Sequence, residues 1–230
     1  MNEESASSGS FFGRRKGKTL RPGQDRVVRD LLPRLHVALP ESGLLDPRAL
    51  FPRPVASVHL EIGFGGGEHL LSVARANPDV GFIGCEPFVN GMAKLLALVE
   101  AEGIDNIRLW SHDAAELIAG LAPASLARAY LLFPDPWPKR RQRKRRFLSD
   151  TNLEGLAGVV VPGGTLRFAT DIDDYAGWGL ARVLRASDWD WRPTGPDDWR
   201  IPWAGWPGTR YEAKATREGR RASYMTFARR

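Results

Sequence analysis

HLEIGFGGGE, residues 59–68, runs from a short apolar segment through a glycine-rich loop into a helical pattern. A strand, a glycine turn and a helix in that order bring backbone amides and a helix N-terminus close to a ligand. The loop departs from the dinucleotide fingerprint, which needs glycine or alanine at its sixth place. Here that place is Glu68, and the third glycine sits one residue early. Glu61 stands just before the loop, where a carboxylate repels a pyrophosphate and suits the ammonium and sulfonium charges of S-adenosylmethionine. A dehydrogenase is disfavoured on both counts.

Outward from this loop, short apolar runs alternate with helical patterns. Strands are predicted near 57–62, 80–85, 106–110, 127–133 and 164–170, and helices over 67–77, 89–102, 113–120, 147–158 and 172–185. The alternation predicts an α/β, Rossmann-like, doubly wound and mostly parallel sheet with helices on both faces. After Asp188 the chain turns Trp- and Pro-rich before a last alternating segment, 222–228. That reads as a long loop between two final antiparallel strands, closing a seven-stranded sheet with an antiparallel final strand. The tryptophans at 189, 191, 199, 203 and 206 read as packing within that loop, with no catalytic part.

Acids cluster where the strands end. Glu61, Glu86 in GCEP, Asp113 in SHDA and Asp135 fall at the carboxyl ends of four successive predicted strands, where open α/β sheets bind ligands. Glu86 is placed to accept ribose hydroxyls. Asp113 either caps a helix or contacts adenine. Asp171, after TLRFAT, is placed to cap the following helix or to meet substrate.

LLFPDPWPKRRQRKRR, residues 131–146, joins a strand end to a rigid turn and a basic run. Pro134, Pro136 and Pro138 have fixed φ and no N–H, so Asp135 and Trp137 sit on a stiff turn. Trp137 either stacks on a base or packs against the prolines. In the run Lys139 to Arg146 only Gln142 is uncharged, and such a surface attracts phosphates with release of counterions. We expect Arg141, Gln142, Arg143, Lys144, Arg145 and Arg146 to contact RNA, and Lys139 to meet a phosphate or guanine O6. Arg217, Arg220 and Arg221 extend the positive surface.

With 230 residues, 43% of them hydrophobic, one large domain is expected, and a formal charge of +6 favours an acidic partner. Residues 1–24 read as a mobile basic arm and 25–230 as a single domain. No apolar run is long enough to span a bilayer, and MNEESASSGS lacks the basic-then-apolar order of a signal peptide, so a cytoplasmic protein with no membrane partner is expected. Cys85 is the single cysteine, and His36, His59, His69 and His112 show no metal-ligand spacing, so no metal is expected.

The motifs FGRRKGK, LEIGFGGGEHL, GCEPF, SHDA, FPDPWPKRRQRKRR, ATDIDDYA and TRYEAKATREGR, in this order, resemble the bacterial tRNA (guanine-N7)-methyltransferases over most of the chain. Cys85, where isoleucine is more usual, and Gly66 in the loop are small departures. The resemblance implies methyl transfer from S-adenosylmethionine to N7 of guanine in tRNA, at the variable-loop guanosine, position 46. It implies tRNA and not DNA as partner, in a monomer or homodimer. It also implies that Glu61, Gly63, Gly65, Glu86, Asp113 and Asp135 surround the cofactor. Asp135 is then the catalytic group, and Lys139, Asp171, Thr209, Arg210, Tyr211 and Glu212 face the guanosine, Glu212 reading the base edge. Two other readings stay open: an adenine amino methyltransferase, from the DPW turn, and an RNA-binding protein that keeps the fold without activity.

Overall fold

Alternating side chains along Ser57–Ile62 set the layers: Val58, Leu60 and Ile62 pack to one side, while His59 and Glu61 point to the other. A computed structural model describes Gly13 and residues 15–230. The strands are β1 (Ser57–Ile62), β2 (Val80–Cys85), β3 (Ile107–Trp110), β4 (Leu126–Leu132), β5 (Val160–Thr170), β6 (Trp189–Asp190) and β7 (Ser223–Arg229). They form one sheet in the order β3-β2-β1-β4-β5-β7-β6. Pairs from β3 through to β5 are parallel, and β7 runs antiparallel to both β5 and β6. The order reverses between β1 and β4, which opens a crevice at their carboxyl ends.

The helices are α1 (Pro22–Asp30), α2 (Leu32–Leu35), α3 (Glu68–Ala76), α4 (Val89–Glu102), α5 (Ala114–Gly120), α6 (Asp150–Val159), α7 (Asp173–Val183), α8 (Asp197–Arg200) and α9 (Arg210–Arg217). One core joins Leu60, Ile83, Leu131 and Phe168 to Leu117 of α5, Leu153 of α6 and Tyr175 of α7. The other joins Phe82 to Leu70 of α3, Leu95 of α4 and Val27 of α1. A third, smaller cluster sets Tyr130, Leu132, Ala169 and Tyr224 against Trp203 and Trp206, so the Trp-rich segment covers the part of the sheet that no long helix shields. Among the described residues no helix is long and apolar enough to cross a membrane.

The structure departs from the sequence expectation at several elements, α1, α2 and α8 among them. β5 starts at Val160, four residues before 164, because Val160 pairs with Leu126 and a register shift between Leu126 and Arg128 takes up the PGG turn. The long loop contains α8 and α9, and the start of α9 is held by a capping box between Thr209 and Glu212. The boundary at residue 24 falls inside α1, since Pro22 and the Arg21–Gln24 pair start that helix earlier. Ahead of it, Arg15 O accepts from Val89 N at 3.0 Å, Gly17 N donates to Asn90 Oδ1 at 2.8 Å, and Asn90 Nδ2 donates to Lys18 O at 2.7 Å. Residues 15–18 are thus docked on the start of α4. The rest of the expected arm, residues 1–12 and 14, lies outside the described residues.

Candidate active site

The glycine loop is pressed into shape by its neighbours. Gly65 takes φ of +58° and donates its N–H to Glu86 Oε2 at 2.7 Å, while Phe88 N–H donates to Glu86 Oε1 at 2.9 Å. A Cβ on Gly91 of α4 would lie 2.1 Å from Gly65 O, so only glycine lets the helix approach the loop this closely. Glu86 therefore holds the loop and ends β2 at once. Burial raises its pKa, with Asp135 acting in the same direction, while its two backbone donors pull it back.

The loop, the strand ends and α9 enclose a cavity of about 640 Å³. Gly63, Gly65, Glu86, Asp113, Asp135 and Tyr211 are all on its wall. Asp113 caps α5, accepting from Ala115 N at 2.9 Å, and lies on the cavity wall. Glu61 is placed differently. It is buried beneath the loop, its Oε2 2.6 Å from His69 Nδ1, and His69 is itself packed between the rings of Tyr130 and Trp206. Lys139, Asp171, Thr209, Arg210 and Glu212 are not on the cavity wall. Ser149, Thr151 and Asn152 at the start of α6 line it, as does Gly13. The polar pattern S-x-T-N after the basic run was their only trace in the sequence.

The proline turn carries backbone strain. Phe133 and Trp137 adopt φ of +49° and +43°, the left-handed region that large L side chains rarely enter. Arg146 holds this turn from below: Nε donates to Pro136 O at 2.7 Å, the guanidinium pairs with Asp174, and it lies over the rings of Tyr175 and Trp178. Its side chain has no solvent exposure, so Arg146 departs from the expected run of RNA-facing cations. Arg143 also pairs with Asp174, whose pKa the hydrogen bond from Arg146 and the two positive charges hold down. Lys139, Arg140, Arg141 and Lys144 are exposed, and Arg145 lies 4.9 Å from the ring centre of Trp137, on the cavity wall.

Above the loop, Arg210 and Tyr211 at the start of α9 cover Gly65; a Cβ there would lie 3.2 Å from Arg210 Nη2 and from the Tyr211 hydroxyl. Glu212 turns inward. Its carboxylate accepts from Trp206 Nε1 at 2.7 Å, from Thr209 N at 3.3 Å and from the Tyr224 hydroxyl. Asp171 accepts from Arg220 Nε at 2.7 Å. The wall chemistry fits S-adenosylmethionine: a volume in the range of small-molecule sites, carboxylates for hydroxyl and amine donors, and a glycine loop that a side chain would fill. Glu86, Asp113 and Asp135 share the wall with Lys144, Arg145 and Arg146, so the acids stand at the strand ends and the cations on the turn after β4.

Residues 55–225 match the model of a protein family described as "Putative methyltransferase". The chain is 53% identical over 231 residues to the tRNA (guanine-N(7)-)-methyltransferase of Rhodopseudomonas palustris (strain BisB5), covering 100% of this chain and 90% of that protein. To the protein of the same name from Brucella melitensis biotype 1 it is 52% identical, covering 100% of this chain and 98% of the relative. The chain belongs to the tRNA (guanine-N7)-methyltransferase family. A solved 16S rRNA methyltransferase, KamB, shares the fold of this family member, with a TM-score of 0.54 at 21% identity over 76% of this chain and 89% of that one. Family membership identifies the chain as a methyltransferase.

Proposed function

We propose that this chain transfers the methyl group of S-adenosylmethionine to N7 of guanine in tRNA, at the variable-loop guanosine, position 46. The observation that carries the reading is a juxtaposition: a cavity at the switch point of the sheet, its wall holding Glu86, Asp113 and Asp135 at the strand ends and Lys144 and Arg145 on the basic turn, with Lys139, Arg140 and Arg141 exposed on that same turn. A nucleic-acid substrate with a small-molecule donor needs both parts, and the named relatives act on tRNA guanine. A tRNA substrate also fits a cytoplasmic location.

S-adenosylmethionine, when bound, supplies a methyl group activated on a sulfonium. Glu86 would accept from its ribose hydroxyls with the lone pairs left over from Gly65 and Phe88, Asp113 would receive the adenine amine, and Gly63 and Gly65 would leave room for the rest of the donor. Guanine N7 already carries an in-plane lone pair, so no proton has to leave before it reacts. The catalytic demand on the chain is position, since it has only to hold the base with N7 facing the methyl donor. Asp135, on its stiff turn, receives guanine N1–H and the exocyclic amine, and its charge also favours the sulfonium side. Trp137 and Tyr211 flank the base, while Lys139 and the exposed cations hold the backbone.

Incubating the protein with labelled S-adenosylmethionine and unfractionated tRNA, then digesting the RNA to nucleosides, tests this. The label is expected in 7-methylguanosine, with Asp135→Ala abolishing incorporation while tRNA binding persists. Label in N6-methyladenosine, or tight tRNA binding with no incorporation by the unaltered chain, overturns the reading.

A further inference from the structure

A second polar cluster lies on the sheet away from this cavity. His59 of β1 stands opposite Arg128 of β4, Arg128 opposite Thr165 of β5, and Tyr130 opposite Arg167, with Thr226 of β7 next in the row. Two-residue periodicity puts His59, Arg128 and Arg167 on the face of Glu61, Tyr130 and Ala169, away from α5, α6 and α7. The cations are poorly matched by their surroundings. The charged groups acting on His59 are Arg128 and Arg167, and those acting on Arg167 are Arg128 and the Tyr130 hydroxyl, with no carboxylate among them. Glu61, the acid on this face of β1, is committed to His69.

The polar atoms of the cluster are also incompletely used. Arg128 Nε donates to Thr165 Oγ1 at 3.0 Å and Nη1 to the Tyr130 hydroxyl at 3.4 Å. His59 Nδ1 and Arg167 Nε are buried without a hydrogen-bond partner. Arg167 lies 5.1 Å from the ring centre of Trp203, which walls the cluster and donates Nε1 to Thr226 at 2.9 Å. Partly buried like charges with unused donors are costly unless an anion completes them.

We propose that His59, Arg128, Thr165 and Arg167 form a binding site for a phosphate group, separate from the methyl-transfer cavity. Two guanidiniums give planar N–H pairs suited to phosphate oxygens, and the Thr165 hydroxyl adds a neutral donor. Burial, then Arg128 and Arg167, hold the His59 pKa down at about 4, so the ring is neutral near pH 7 and a bound anion would raise that value. Arg128 lies four positions before the end of β4, roughly 13 Å of strand, and Asp135 stands on the turn that follows. A tRNA lying on the basic turn carries backbone phosphates across such a span. Only that source rests on the proposed reaction; the site itself does not.

The test uses the full chain and inorganic phosphate, titrated against chloride at matched ionic strength, with the His59 ring followed by NMR and thermal stability alongside. A saturable shift of His59 and a rise in Tm are expected, both abolished in Arg167→Gln. In a parallel arm, a drop of roughly tenfold in tRNA affinity in the same variant, with a salt slope smaller by about one, assigns the phosphate to RNA. Abolished phosphate binding with tRNA affinity unchanged assigns it to a free phosphate or a small phosphorylated molecule. If Arg167→Gln does not fold, Arg128→Gln takes its place. No saturable phosphate response in the unaltered chain, together with unchanged tRNA affinity in the variant, overturns the site.

Discussion

Glu86 does two things with one carboxylate, and its protonation links them. Burial raises its pKa in the folded chain above the value of about 4.3 it has when unfolded. A proton therefore binds the folded state better: this contribution to stability is present in full below the unfolded value and is lost as pH rises through the folded one. Cofactor binding responds in the opposite sense, because ribose hydroxyls donate to the ionised form. Calorimetric titration with S-adenosylmethionine across a pH series should show affinity falling, on acidification, at a pH above the ordinary carboxylate range. Glu86→Gln should remove that inflection and weaken binding roughly tenfold or more, having replaced an ionised acceptor by a neutral amide. An inflection that survives in Glu86→Gln would assign it to another group. Glu212 offers a second residue-scale test, since the base-edge role expected for it competes with the cap seen here. Its carboxylate accepts from Trp206, Thr209 and Tyr224, so Glu212→Ala leaves three donors without their acceptor. The cap role predicts a loss of about 2 kcal/mol or more in chemical denaturation. Unchanged stability with a raised KM for tRNA would restore the base-edge role.

At the scale of elements, the close approach of α4 to the glycine loop shapes the site. Gly91→Ala would drive a Cβ to within 2.1 Å of Gly65 O, against backbone that has no rotamer to give. The loop must shift, carrying the Gly65 N–H away from Glu86. Cofactor affinity should drop sharply while the far-ultraviolet circular dichroism stays that of the unaltered chain, because alanine is a better helix former than glycine and the segment displaced is a loop. Unaltered affinity would mean that the loop is set by something other than α4. This approach was not legible in the sequence, where Gly91 reads as one glycine within an amphipathic helix. What was legible follows from local chemistry. β1, β2 and α4 fall on their expected residues because β-branched or apolar runs end at glycine or proline, and four carboxylates mark the strand ends. α9 was missed although its signal was present: Thr209 and Glu212 have capping-box spacing, but the surrounding prolines and tryptophans looked irregular. The pairing of Glu61 with His69 and the burial of Arg146 depend on tertiary partners, and eight charged or polar residues in a row carry no mark of which one turns inward.

For the whole molecule, the charge of +6 matters through where it is displayed. The basic run divides into two populations. Lys139, Arg140, Arg141 and Lys144 are exposed, beside the cavity mouth, whereas Arg146 is buried and ties the proline turn to α7 through Pro136 and Asp174. Charge reversal at Arg140, Arg141 and Lys144 should leave thermal stability unchanged, weaken tRNA binding, and flatten the dependence of log affinity on log salt by about 0.7–0.9 for each phosphate no longer neutralised. Arg146→Ala should do the converse: a lower Tm, because the turn is cut loose from α7 and a space opens beside Tyr175 and Trp178, with the salt slope of the folded protein retained. Filter binding over a range of salt concentrations, with melting curves on the same samples, separates the two. If Arg146→Ala flattened the slope as much as the triple reversal while Tm held, the guanidinium would reach RNA, and the strained turn that presents Asp135 would need another support.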